Sequence, residues 1–163
     1  MTATTPADEY VLDTPRLRAF IETCHRIQHE QTESGAIVEA IRPHFADLLA
    51  DPNWLPAQYQ EPAVGSGMGS GIGQWLLYRA GNGGLALSAL VVPPGAATPV
   101  HDHLAWGLVG LYRGEQDEEV FARRDDASVD GHARLEVAER RHLRPGDFYA
   151  LLPETDIHRV RTT

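Results

Sequence analysis

Three histidines are the residues of this chain whose types and spacing best suit chemistry. His101 and His103 are separated by a single residue, and His158 follows much later in the sequence. Residues i and i+2 of a β-strand point to the same face, so His-x-His can present two neutral imidazoles to one metal ion. A third imidazole from a later strand would complete an open site, with coordination positions free for substrate or dioxygen. The pattern predicts a catalytic metal site without a companion cysteine or carboxylate.

Composition and charge exclude several other classes of protein. The 163 residues include 14 basic and 23 acidic side chains, for a net charge of −9. Nucleic acid and anionic membranes attract clustered positive charge, so neither is expected as a partner. No apolar run reaches transmembrane length, and no signal peptide is recognisable. The lone Cys24 rules out an internal disulfide and a zinc–thiolate cluster, and it favours a reducing cytoplasm. We expect a soluble, cytoplasmic single domain over residues 1–163.

The first third of the chain, residues 1–50, is predicted to be helical. Thr14 followed by Pro15 is typical of a helix N-cap with proline at the first helical position. Apolar residues then recur at helical spacing, first over 17–27 and again after Ser34. Pro43 lies inside the second segment and is expected to kink or divide it.

The remainder of the chain is predicted to be mainly β. Residues 51–73 are rich in proline, glycine and serine and are interpreted as a loop or crossing segment. Short apolar runs separated by turn residues follow, and these indicate strands. The predicted strands cover residues 75–78, 85–92, 100–103, 104–112, 120–121, 134–138 and 148–152. Many short strands after a helical prelude predict a β-barrel or sandwich with an α-helical N-terminal cap.

Other polar groups are interpreted as surface features. The acidic run Glu115–Glu119 follows a turn and predicts a solvated hairpin rather than a metal or partner site. His25 and His29 lie one helical turn apart, but no third ligand is near them, so we expect exposure to solvent. Cys24 belongs to an apolar stripe and is expected in the core. Strand alternation points Asp102 away from the metal, which leaves it at most a supporting role. The remaining histidines are interpreted as surface or loop residues: His44, His132 and His142.

The spacing of glycines and histidines resembles the two cupin motifs. Gly95, His101, His103 and Gly114 occupy the places of the first motif, a glycine, five residues, His-x-His and a closing glycine. The resemblance implies a double-stranded β-helix, or jelly-roll barrel, over residues 74–163.

The second cupin motif is matched less completely. Gly146, Pro153 and His158 can be placed, but Thr155 stands where a glycine is usual. Many cupins carry a carboxylate four residues after the second histidine, and here Gly107 replaces it. The resemblance therefore implies three histidine ligands rather than three histidines and a glutamate.

Among cupins, the chain resembles the cysteine dioxygenase family of thiol dioxygenases. The segment from Thr98 to Gly114 is similar to the bacterial branch that includes 3-mercaptopropionate dioxygenases, and His-Asp-His followed by Trp106-Gly107 is its most specific part. The resemblance spans about residues 74–160. It implies a mononuclear Fe(II) held by His101, His103 and His158, which oxidises a small thiol carboxylate to its sulfinate with dioxygen.

The substrate carboxylate is expected to meet Gln74. Cysteine-specific members of the family place an arginine on an early strand, whereas mercaptopropionate-type members place a glutamine nearby. Counting back from His101 puts Gln74 at the glutamine position and Trp75 near the arginine position. The resemblance therefore favours 3-mercaptopropionate over cysteine, with Gln74 donating a hydrogen bond to the carboxylate.

The end of the sequence departs from the family pattern. The family continues beyond its third histidine with more strand and a tyrosine that faces the iron, whereas this sequence ends at Thr163. Either the sequence is shortened and the barrel lacks its final strands, or the barrel closes differently here, and no iron-facing tyrosine is assigned.

Several alternatives stay open. Imidazole sites also bind Ni(II) or Zn(II), so the sequence does not identify the metal. Three-histidine cupins also cleave β-diketones, and a non-catalytic metal- or ligand-binding cupin would share the same ligands. An apolar pocket without polar anchors would favour the diketone reaction, and a site filled by side chains would favour a binding protein. The oligomeric state is expected to be a monomer or a homodimer.

Overall fold

Two long helices precede a set of antiparallel strands in the computed structural model, which describes residues 6–62 and 71–163. Part of the predicted 51–73 loop lies outside those residues. The helices are α1 (Pro15–Glu30) and α2 (Ser34–Ala50), followed by a 3₁₀ turn at Ala57–Gln60. The strands are β1 (Glu9–Tyr10), β2 (Gly73–Arg79), β3 (Ala86–Val91), β4 (Gly107–Gly110), β5 (Gln116–Arg123), β6 (Leu135–Leu143), β7 (Phe148–Leu151) and β8 (His158–Thr162).

The strands of the described residues form three antiparallel sheets. Their orders are β1-β2-β3, β4-β7 and β6-β5-β8. The third sheet puts β8 beside β5, so residues far apart in sequence become neighbours at its edge. A mainly β architecture behind a helical N-terminal segment confirms the predicted cupin-type fold.

Helix α1 begins as the sequence predicts. The Thr14 hydroxyl accepts a hydrogen bond from the Leu17 N–H at 3.2 Å, and Pro15 is the first helical residue. The predicted apolar stripe is buried throughout: Leu17, Phe20, Ile21, Cys24 and Ile27. Burial raises the pKa of the Cys24 thiol to about 12, so Cys24 is a protonated core residue at neutral pH, as predicted.

Helix α2 is continuous, and the predicted division at Pro43 is wrong. Pro43 cannot donate to the carbonyl four residues earlier, which costs roughly 3 kcal/mol. Six apolar side chains of the helix are buried, and each contributes roughly 1.5–3 kcal/mol by leaving water. They lie on both sides of the proline: Ile37, Val38, Ile41, Phe45, Leu48 and Leu49. Their combined burial outweighs the single lost hydrogen bond.

Helix α2 packs directly on strand β4 at a glycine. A Cβ at Gly110 of β4 would overlap the Leu49 Cδ1 atom and lie 2.8 Å from the Phe45 Cε1 atom, both on α2. Only a residue without a side chain lets the helix pack this closely on β4. The strand that follows the His-x-His segment is thus fixed against the helices.

Gly110→Ala is expected to lower the free energy of unfolding by about 1–3 kcal/mol, because the new methyl group overpacks a filled contact. Gly107→Ala is the matched control on the same strand, since no described atom lies within 4 Å of its Cβ position. Denaturant unfolding of both variants measures the difference. Equal stability of the two variants would contradict this packing.

No helix among the described residues combines the length and apolar character needed to cross a membrane.

Candidate metal centre

The backbones of two site histidines are joined directly. The His101 N–H donates to the His158 carbonyl at 3.0 Å, and the His158 N–H donates to the His101 carbonyl at 2.9 Å. This reciprocal pair places the start of β8 beside the His-x-His segment and brings the two imidazoles together. His101 and His158 therefore meet across strands, as the sequence pattern requires.

The predicted strands over 100–103 and 104–112 are largely wrong. His101 forms only an isolated bridge, and regular strand begins at Gly107 and ends at Gly110. The interruption has a local cause, because Leu104 adopts a left-handed conformation with φ of 52°. The two histidines share a site although the segment between them is not a regular strand.

Asp156 holds this irregular segment in place. Its carboxylate is buried and accepts hydrogen bonds from the His103 N–H at 2.8 Å and from the Leu104 N–H at 2.7 Å. These bonds compensate the unfavourable backbone at Leu104. Sequence reasoning missed Asp156, because an aspartate before a strand shows no sign of its partners some fifty residues earlier.

Asp156→Ala is expected to destabilise the protein and weaken metal binding. Two N–H groups lose their acceptor, and each part-buried unsatisfied donor costs about 1–3 kcal/mol. Asp156→Asn keeps an acceptor oxygen and should lose less. Denaturant unfolding and Zn(II) titration of both variants measure the two effects. An alanine variant with wild-type stability and affinity would refute this role for Asp156.

The three predicted histidines converge. Their ligand nitrogens all lie within 4.8 Å of one another, and the Nε2 atoms of His103 and His158 are 3.1 Å apart. His101 stacks closely, with its ring centroid 4.9 Å from that of His103 and 4.6 Å from that of His158. The cluster includes one buried side chain, His158, and one exposed side chain, His103.

Hydrogen bonds at Nδ1 assign the tautomers of two of these rings. His101 Nδ1 lies 2.9 Å from the Pro99 carbonyl oxygen, and His158 Nδ1 lies 2.9 Å from Glu118 Oε1. Both partners are acceptors, so each Nδ1 carries the proton and each Nε2 keeps a free lone pair. The Nε2 atoms of His101 and His158 are therefore available to bind a cation.

The pKa of His103 is lowered, first by burial and then by the neighbouring His158 and His101. Each of these effects disfavours the imidazolium ion. The neutral form is the one that binds metals.

This donor set fits a divalent transition metal. Metal–imidazole bonds of about 2.1 Å that meet near a right angle separate the two nitrogens by about 3 Å. The 3.1 Å between His103 Nε2 and His158 Nε2 agrees with that separation. Three neutral imidazoles suit iron, nickel, copper and zinc alike.

A carboxylate lies behind His158, outside the three-histidine group. Glu118 is buried on β5 and belongs to the acidic run that was interpreted as a solvated hairpin. Asp117 is exposed and Glu119 is half-buried, whereas the side chain of Glu118 is 0% exposed. Strand alternation, extended back from the predicted strand at 120–121, could have identified the inward position of Glu118.

Two further side chains enclose Glu118. The Arg141 Nη1 atom lies 3.1 Å from Glu118 Oε2, and its guanidinium lies 5.3 Å from the centre of the Tyr149 ring. The Tyr149 hydroxyl is 3.3 Å from His158 Nδ1. Burial, and then the charge of Glu118, raises the pKa of Tyr149, so its hydroxyl stays protonated.

Gln74 is not one of the three clustered residues. It is exposed on β2, opposite Leu90 of β3, and within the part of the chain that the structure describes its amide makes no hydrogen bond. The adjacent Trp75 packs on the helical core, so alternation turns Gln74 to the sheet face away from the helices.

The other polar residues are mostly where the sequence places them. Asp102 is exposed, and so is the surface set of His44, His132 and His142. His25 differs from its prediction, because it is half-buried and its Nε2 lies 2.7 Å from the Tyr78 hydroxyl. That contact fastens α1 to β2, so His25 has a structural partner rather than only solvent.

Comparison with known proteins agrees with the motifs and the site. The family model of cysteine dioxygenase type I matches residues 69–163, which is more than half of the chain and includes all three histidines. Glycine and histidine spacing, a mainly β fold and a three-histidine cluster thus agree with one another. The chain belongs to the cysteine dioxygenase type I family.

Proposed function

We propose that this protein is an Fe(II)-dependent thiol dioxygenase that oxidises a small thiol carboxylate to its sulfinate with dioxygen. Family membership supports the general class, a metal-dependent thiol dioxygenase. One observation carries the proposal: His101 and His158 have Nδ1 engaged by acceptors, which leaves each Nε2 free, and the ligand nitrogens of these two residues and His103 lie within 4.8 Å of one another. In this proposal these three residues are the metal ligands.

The chain's own residues prepare this site in two ways. Neutral imidazoles add no negative charge, so the positive charge of a bound divalent ion would not be offset by its ligands. An anionic thiolate would therefore be attracted to the site. The backbone bonds of His101 and His158, and those of Asp156 to the His103 segment, fix the ligands before substrate arrives. When bound, Fe(II) supplies the positive charge and the redox chemistry for sulfur oxidation.

For substrate recognition we propose Gln74. Its side chain is exposed and without a hydrogen-bond partner among the described residues, on the sheet face that the helices leave uncovered. An amide N–H can donate to a carboxylate at that face. A glutamine here, as in mercaptopropionate-type members, favours 3-mercaptopropionate over cysteine. The oligomeric state, a monomer or a homodimer, and the cytoplasmic location remain predictions.

Oxygen uptake by the Fe(II)-loaded protein tests this function. The protein is reconstituted anaerobically and then supplied with 3-mercaptopropionate, cysteine, cysteamine or acetylacetone. We expect uptake with the two thiol carboxylates, fastest with 3-mercaptopropionate. Uptake with acetylacetone alone would replace the proposal by β-diketone cleavage. A protein that binds iron but consumes no oxygen with any of the four compounds would indicate a binding protein.

A further inference from the structure

Two of the three candidate ligands, His101 and His158, have different partners behind their rings. His101 is backed by the neutral Pro99 carbonyl, whereas His158 is backed by the Glu118 carboxylate. A carboxylate that accepts the Nδ1–H polarises the imidazole more strongly than a carbonyl does, and it makes Nε2 a better donor. Glu118, a residue outside the cupin histidine pattern, thus makes His158 different from His101.

Glu118 is held on both of its oxygens. Oε1 is bonded to His158 at 2.9 Å, and Oε2 is paired with Arg141 at 3.1 Å. An unpaired buried carboxylate would be costly, and Arg141 lowers that cost. Arg141 is itself paired with Glu139 at 2.6 Å and is 31% exposed, so the row of contacts runs from the histidine cluster to the surface.

The position of Glu118 depends on strand pairing rather than on a flexible loop. Glu118 is opposite Arg141 of β6 and opposite Val160 of β8, near the middle of the sheet. Tyr149 of β7 covers the same carboxylate from the neighbouring sheet. A carboxylate fixed on three sides has one orientation, and it imposes one orientation on the His158 ring.

We propose that Glu118 is a positioning residue for the metal centre: it locks the His158 ring and strengthens His158 as a donor, with Arg141 and Tyr149 holding the carboxylate. The inference rests on the proposed three-histidine metal site. It predicts that metal affinity depends on a negative charge at Glu118 and not only on a hydrogen-bond acceptor there.

Glu118→Gln tests this inference, because glutamine keeps the size and an acceptor oxygen but removes the charge. Loss of such an outer carboxylate typically weakens metal binding by roughly 10- to 100-fold, and we expect a loss in that range. Zn(II) and Co(II) affinities are measured by competition with a chelator. Glu119→Gln is the matched control, since it removes the next carboxylate of β5, which is paired with Arg140 and Arg159 and not with a histidine. The control should bind metal like the wild type.

Two further measurements separate positioning from folding. Denaturant unfolding of the metal-free variant should show a smaller change than the loss of metal-binding free energy. Nitrogen NMR of the metal-free wild type should show His158 protonated at Nδ1, a result that requires no variant.

The outcomes distinguish the inference from the proposed function. Equal metal affinity of Glu118→Gln and the wild type, or a His158 ring protonated at Nε2, would overturn the role of Glu118 and leave the metal site standing. A wild-type protein that binds neither metal would overturn the metal site itself, and with it this inference.

Discussion

Replacement of His158 by alanine is expected to abolish metal binding and thiol-dependent oxygen uptake. His158 is the buried member of the cluster and the residue that β8 brings to the His-x-His segment. Its removal leaves two ligands, which cannot hold a divalent ion against water as three do. The loss should exceed the roughly 10- to 100-fold effect typical of an outer-sphere residue. Metal content per chain and oxygen uptake measure it.

The control for this variant must account for Glu118. His158→Ala leaves that buried carboxylate without its imidazole partner, which can destabilise the fold as well as the site. His103→Ala removes an exposed ligand whose ring has no carboxylate hydrogen-bond partner among the described residues, and it should give the same loss of metal in a stable protein. His142→Ala, at an exposed histidine on β6, should leave metal content unchanged. A His158→Ala protein that still bound iron and turned over normally would refute the ligand assignment.

Gln74→Ala is expected to lower kcat/KM for 3-mercaptopropionate by roughly 10- to 100-fold, mainly through KM. A hydrogen bond to a charged group contributes about 1.5–3 kcal/mol, and each 1.4 kcal/mol is about tenfold. The contact is made by substrate and transition state alike, so its loss should appear in KM. Steady-state oxygen uptake over a range of substrate concentrations gives both constants.

A thiol without a carboxylate supplies the control for Gln74. Cysteamine cannot use the amide as the mercapto acid does, so any oxygen uptake that it supports, however slow, should be equal in wild type and variant. Gln74→Glu places a negative charge against the substrate carboxylate and should weaken 3-mercaptopropionate further. If Gln74→Ala left the constants for 3-mercaptopropionate unchanged, another residue would have to bind the carboxylate.

Local patterns of the sequence predicted the elements that depend on local physics. The Thr14–Pro15 start of α1 and its buried stripe follow from capping and helical spacing, and both are confirmed. The glycine and histidine spacing also identified the family and the three residues that the structure brings together. Such features require only neighbours in sequence or a motif of fixed length.

Long-range contacts explain what the sequence did not show. Leu104 adopts a left-handed backbone because Asp156, distant in sequence, accepts its N–H, and that interrupts the predicted strand. The sequence predicts an exposed Glu118, because the residues on both sides of it are also charged and the alternation of inward and outward side chains is not visible. In the structure, β5 pairs with β6 and β8, and the side chain of Glu118 points inward. The sequence predicts that Pro43 kinks or divides α2, but α2 is not divided, because apolar residues are buried on both sides of the proline.

In the proposed reaction, His101, His103 and His158 would hold the metal, and both atoms of dioxygen would be added to the sulfur of a thiol. Isotopically labelled dioxygen tests it most directly: Fe(II)-loaded protein is supplied with 3-mercaptopropionate under the labelled gas, and the product is analysed by mass spectrometry. We expect a sulfinate in which both oxygen atoms carry the label, and no product from His103→Ala. A disulfide as the only product, or a sulfinate with oxygen from water, would contradict it.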